Sequence, residues 1–553
     1  MGILRRAASA KCGGHLQSFD QQALSCSLRL AAALLITASV AAAQNAPDFQ
    51  SNTRLVETDV VVTSHGHPVA GLTKDDFTIS DNGKPQTIST FRVIGPENRV
   101  RPRAFPPGVY SNRLAGSEEE SGVTVLLMDR LNTDAGDQAE VRRQMLHYLE
   151  SAPRDERIAI YSLNKTLRVI QDFTADQERI RRKLFSNGSA ETSVDLTADL
   201  LVDDLPVTGD AMTDAMIQNS ANEMKDFAIQ NRVNVTAFAL ETIAKHLAGL
   251  RGRKKLVWFT SAFPAAYSYE GHRNGRTQIE IHQFGDDIEK AAKRLNDADV
   301  AVYPVDPRGI LQGFDVPGID TMNLFAGKTG GKAFYAINDI EGAVAAIEDD
   351  GEITYVIGYY PPDEKRSPQA EGPLWAVKKM DGSYHSVSVK VPGHSYEIRH
   401  RKGYFASETK PITEKRRRMT IEDAFFNPLE STGLGVVARA IPAEKPGIYN
   451  LDLNLDLHEF HLDRVGEGDK ERWVALLAIA TEFSAKKKPN GTLEEIKLTL
   501  TNARLTEALR TGYRIRRPYA AGELNGDLRL VVQDRASGDV GSVTLPIGAA
   551  KAR

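Results

Sequence analysis

Cysteine is almost missing from this 553-residue chain: Cys12 and Cys26 are its only two, and both stand ahead of residue 43. Beyond that point the chain can build no disulfide, no thiolate zinc site and no thiol nucleophile. Long apolar runs are missing as well. The segment Leu30 to Ala43 covers 14 residues, and nothing later reaches the roughly 18 that suggest a membrane span. Nor is there an excess of one charge. Sixty-nine Lys and Arg against 73 Asp and Glu leave a formal −4, which offers no global attraction to nucleic acid or anionic lipid. A Gly-x-Ser-x-Gly nucleophile elbow is also missing.

What is present begins with a leader. Arg5, Arg6, Lys11 and Arg29 precede the apolar segment, which ends Ala41-Ala42-Ala43 before Gln44. A basic flank, a short apolar core and a small-residue end predict a signal peptide over 1–43, and so a secreted or periplasmic mature chain without a transmembrane segment. Neither cysteine lies at the cleavage point, so lipid modification is not expected. The length implies three or four domains.

The most informative stretch is Val123-Thr-Val-Leu-Leu-Met-Asp129-Arg-Leu-Asn-Thr133. An apolar run without alternation, ending in a carboxylate, suits a strand buried on both faces of a parallel sheet. Helical spacing over Gly136 to Glu150 and a second apolar run, Arg157 to Leu163, predict a right-handed strand–helix–strand crossover. Further along, Lys254 to Thr260 ends at Ser261, and Val300 to Val305 ends at Asp306. The helix Thr236 to Leu247 is expected to bury Phe238, Leu240, Ile243, Ala244 and Leu247 on one side. Helices Asp176 to Phe185, Asp320 to Gly327 and Ile340 to Glu348, with strands Lys332 to Tyr335 and Ile353 to Tyr360, complete the alternation.

These residues resemble a von Willebrand factor A domain, which opens with a strand ending in Asp-x-Ser-x-Ser and binds a divalent cation at the top of a doubly wound sheet. Asp129 and Thr133 match the ends of that motif, while Leu131 stands in place of the middle serine. The altered Asp-x-Leu-Asn-Thr, Gly252-Arg-Lys254, Tyr303-Pro-Val-Asp306, Thr329-Gly-Gly331 and Gly358-Tyr-Tyr-Pro361 are similar to the secreted VWFA-related family known from acidobacterial genomes, over roughly residues 55 to 405. The resemblance implies a degenerate metal site of Asp129, Thr133, Thr236 and Asp306, with Ser261 where an Asp is usual. Magnesium or calcium would bind there weakly, because one expected oxygen is lost.

The fold expected is multidomain α/β plus all-β, a central A-like domain flanked by small β-domains. Boundaries are placed at 1–43 for the signal peptide, 50–96 for an N-terminal β-domain and 97–121 for a linker. The α/β domain follows at 122–362 with an insertion at about 186–230, then a β-hairpin extension at 363–408, a linker at 409–420 and a β-sandwich at 421–550. Other motifs have ordinary explanations. Gly327-Lys328-Thr329 lacks the leading glycine of a phosphate loop, since position 322 is Met. His65 and His67 lie on a turn, and Asp452, Asn454, Asp456 and His458 alternate with leucines as one face of a strand. His458 and His461 are three apart, not at the spacing of a zinc helix. The function expected is non-enzymatic binding or adhesion to a protein, matrix or envelope partner. The alternatives are a secreted hydrolase with an interdomain site or a structural envelope component.

Overall fold

The unalternating apolar runs become strands because each has side chains to bury on both faces. The structure, a computed structural model, describes residues 55–95, 105–114, 122–186, 207–261, 266–273, 276–309, 318–336, 340–350, 352–361, 384–405, 412–466, 468–484, 490–520 and 526–547. The signal peptide expected at 1–43 lies outside the described residues, as do much of the 97–121 linker and residues 187–206 of the insertion. Val300–Val305, Lys254–Phe259, Val123–Asp129, Arg157–Leu163 and Leu167–Thr174 lie side by side in that order. All neighbours are parallel except the last pair. The expected strand at Lys332 to Tyr335 is a single parallel bridge from Phe334 to Val305.

Odd and even positions face opposite helical layers. Val125, Leu127, Leu256, Trp258, Val300 and Val302 share a core with the helices Ala211–Leu247, Gly285–Asp297 and Ile319–Thr329. Leu126, Met128, Val257, Phe259, Ala301 and Tyr303 pack against Gln138–Ser151, Gln177–Ser186 and Ile340–Asp349. Both faces are therefore covered, as a parallel sheet requires. Chain order runs outward in both directions from Val123–Asp129, so it reverses between this strand and Lys254–Phe259. Open α/β sheets place their crevice at such a reversal.

Several elements differ from the sequence reading. The insertion from 186 to 230 contains the whole first half of one 37-residue helix, Ala211–Leu247. Phe238 is 60% exposed rather than buried with Ile243, Ala244 and Leu247, because at about 100° per residue it points away from them. The strand Thr354–Tyr359 does not complete the α/β sheet. It pairs antiparallel with Val56–Ser64 and Thr90–Ile94, joining the N-terminal β-domain. Tyr384–Lys390 likewise pairs with Thr78–Asp81, and one core holds Val60, Phe77, Tyr355, Tyr359, Val387 and Tyr404.

The described residues pack as one unit, and buried charges join its parts. Arg253 donates to Tyr303 Oη at 3.0 Å, and Tyr303 Oη donates to Asp350. Asp350 also pairs with Arg399 at 3.0 Å, which brings in the β-domain. The Thr329-Gly-Gly331 turn has a packing cause as well: Gly330 takes φ +77°, and a Cβ on Gly331 would fall 2.0 Å from the Val302 carbonyl oxygen.

From Val436 on, the described residues form two sheets over one core of Leu451, Leu453, Leu455, Leu477, Ile479, Leu530 and Val543. Asp452 faces outward and pairs with Arg516. Two expected linkers take structure here. Tyr110–Ser111 adds a strand to Val436–Pro442, and the charged run becomes the helix Glu414–Phe426, capped by Thr413. That helix lays Ile421 and Ala424 on Ala478, Ala480 and Val531.

Candidate functional site

Asp129 ends the central strand on the face that carries Trp258, and it is 1% exposed. Such a carboxylate must find donors within the protein. Its Oδ1 accepts the backbone N–H of Leu131 at 3.2 Å and of Asn132 at 3.0 Å. Its Oδ2 accepts Asn132 Nδ2 at 2.8 Å, Trp258 Nε1 at 3.0 Å and Thr260 Oγ1 at 2.9 Å. Burial pushes the carboxyl above its ordinary value, and the hydrogen bonds from Asn132, Thr260 and Trp258 oppose that rise.

The other expected ligands sit nearby but are engaged. The long helix brings Thr236, whose Oγ1 accepts Asn132 Nδ2 at 2.8 Å. Thr133 Oγ1 accepts the Ser261 backbone N–H at 3.3 Å. Asp306 is held by its neighbour Arg308: Oδ1 accepts the backbone N–H and Nε at 3.0 and 2.9 Å, and Oδ2 accepts Nη2 at 2.7 Å. The same guanidinium donates to the Ser261 carbonyl at 2.8 Å, tying the ends of two adjacent strands together.

Structure thus gathers Asp129, Thr133, Thr236 and Ser261 at the chain-order reversal and links Asp306 to them through Arg308. A divalent cation needs several converging oxygens with free lone pairs. Here both oxygens of Asp129 and of Asp306 already accept N–H or O–H groups, each threonine oxygen accepts one, and Leu131 is buried in the core. The donor set therefore does not fit a divalent cation in this arrangement. Among the described residues no cluster of three or more His, Cys, Asp or Glu could hold a metal.

Sequence reading did not single out Asn132, Trp258, Thr260, Arg308 or Arg232, whose guanidinium reaches Asn132 Oδ1. Two signals could have found some of them. Asn132 lies inside the altered motif, and Arg308 follows Asp306 by two residues, the spacing at which a side chain can fold back onto a strand-end carboxylate.

A hollow of about 330 Å³ beside the helix Gly285–Asp297 is lined by Lys290, Lys293, Asn296, Lys328 and Tyr384 among others. It contains no serine or histidine to form a nucleophile–base pair. Among the described residues no helix is long and apolar enough to cross a membrane.

No protein-family model matches the chain, and no curated protein matches it. Solved structures give slight likenesses. An aerotolerance-related membrane protein from Bacteroides fragilis is 14% identical, over 42% of this chain and 98% of its own, with a TM-score of 0.23. The pilus adhesin SpaC from Lactobacillus rhamnosus GG is 10% identical, over 83% of this chain and 58% of its own, at 0.24. A von Willebrand factor type A protein from Catenulispora acidiphila is 7% identical, over 90% and 73%, at 0.21. Likeness this slight assigns the chain to no family.

Proposed function

We propose that this chain is an exported, non-enzymatic binding protein whose A-like α/β domain engages a protein partner at the cell envelope or outside it. The observation that carries the reading is a row of large apolar side chains on the long helix. Met212, Met216, Met224, Phe227 and Phe238 are each 60% or more exposed, and they fall within an arc of about 120° on one side of the helix. Isolated exposed apolar residues are ordinary, but several large ones repeated along one side of a single helix suit a surface that is covered in use. Methionine suits such a surface, since its flexible thioether adapts to a partner's shape. The hydrogen-bonded knot at the sheet's crevice points the same way, because its carboxylates are occupied with holding strands together.

Met224→Glu with Phe227→Glu places charge in the row while leaving the buried face of the helix intact. In crosslinking on intact cells, the wild-type chain should retain a protein partner and the double variant should lose it. Equal retention by both, or retention of a second copy of the chain alone, would overturn the reading. A hydrolytic activity that survives in the double variant would favour the interdomain enzyme instead.

A further inference from the structure

Asp129 and Thr236, the two side chains expected to share a cation, do share an atom, and that atom is a nitrogen. Asn132 Nδ2 stands 2.8 Å from Asp129 Oδ2 and 2.8 Å from Thr236 Oγ1. A carboxamide NH₂ has two N–H groups, so it can donate one to each oxygen. Its other end is fixed too: Asn132 Oδ1 lies 3.4 Å from both Nε and Nη2 of Arg232. Turning the amide over would set its oxygen against a carboxylate and its NH₂ against a guanidinium, so the surroundings select one orientation. Arg232 and Thr236 are one turn apart on the same helix and both reach Asn132, which is 3% exposed. The neighbouring position gives up the competing chemistry, because Leu131 turns an apolar side chain into the core where an oxygen would be needed.

We infer that the Asn132 carboxamide takes the cation's place, so that the knot at the top of the sheet is held together by the chain's own N–H donors and works without metal. This rests on reading the domain as A-like, and it deepens that reading: partner binding becomes indifferent to chelators. It also implies a latent metal site one side chain away. In Asn132→Asp a second carboxylate would face Asp129, and a divalent cation between them would relieve the repulsion.

The test uses the full chain, freed of metal with EDTA, with thermal melts and calorimetric titration of magnesium, manganese and calcium chlorides. Wild type should melt at the same temperature in EDTA and in millimolar cation, and should show no saturable binding. Asn132→Asp should melt several degrees lower in EDTA, recover with cation and bind it saturably, and Asn132→Ser should lose stability that cation does not restore. Stabilisation of wild type by any of the three cations would overturn the inference. So would an Asn132→Asp protein as stable as wild type in EDTA. If Asn132→Asp folds under neither condition, the wild-type arm and Asn132→Ser decide, and an undiminished Asn132→Ser counts against the carboxamide. Failure of the wild-type chain to capture any protein partner, with cation indifference intact, would sink the binding proposal and leave this inference standing.

Discussion

Replacing Asp129 by Ala would remove the acceptor shared by five donors, and the structure sets the size of the effect. Trp258 Nε1 and Thr260 Oγ1 are left out of the sum, so that it stays a lower bound. That leaves the backbone N–H of Leu131, the backbone N–H of Asn132 and one N–H of the Asn132 amide, all buried. A stranded buried donor costs about 1 to 3 kcal/mol, so the three together come to at least about 3 kcal/mol. Removing a buried carboxylate returns part of its desolvation cost, which keeps the expectation near that lower figure. A mere helix cap would be worth about 0.5 to 2 kcal/mol. Domains of a long chain need not unfold together, so a local reporter is required. Trp258 serves, since its indole touches Asp129 and the other two tryptophans, Trp375 and Trp473, can be replaced by Phe. Urea unfolding followed by Trp258 emission should show the loss, and Asp129→Asn, which keeps one acceptor oxygen, should fall between. A loss under about 1 kcal/mol with unchanged emission would refute the knot and return Asp129 to the role of a cap.

Two further outcomes follow from buried polar groups. Asn112 donates to the Ser431 and Leu434 carbonyls at 2.7 Å each and accepts the Val436 N–H at 2.8 Å. Asn112→Ala should cost about 2 to 4 kcal/mol, seen as faster hydrogen exchange in Val436–Pro442, and unchanged exchange there would count against it. The Asp59 carboxyl is pushed up to about 7 by burial and by Asp299, against the pull of Arg253, Lys254 and Arg401. A folded value above the unfolded one means stability fully present below pH 3.8 and lost as pH rises through about 7. Asp59→Asn should therefore melt above wild type at pH 8 and flatten the dependence between. A constant gap between the two proteins across that range would exclude the mechanism.

The central strands were legible because burial on both faces leaves an unbroken apolar run: Arg157–Leu163 has the limits read from its residues. Less legible was anything defined by a distant neighbour. Thr354–Tyr359 is as apolar as the sheet strands, and periodicity reports burial without saying which strand lies alongside. Leu167–Thr174, an edge strand with only Leu167 and Gln171 buried and Arg168, Val169 and Asp172 exposed, gave no run to find. Pro- and Arg-rich sequence around Tyr110 read as linker, yet Asn112 is anchored by three hydrogen bonds to backbone some 320 residues away. In the site, the resemblance pointed to Asp129 and Thr236 as candidates. It could not show that Asn132 would stand between them, because the second contact comes from a helix 104 positions later.

The β-domain's divided origin governs how the chain can be made. Val56–Ser64 finds its partner in Thr354–Tyr359, so about 300 residues must emerge from a ribosome or a translocation pore before that pairing is possible. Synthesis at about 5 to 20 residues per second leaves the early strand without this mate for some 15 to 60 seconds, while the α/β sheet between can already close. During that interval an apolar strand edge is open to the wrong partner. Vectorial production thus makes the α/β domain the scaffold on which the first-made strands must wait, and a chain cut before residue 354 would leave them waiting permanently.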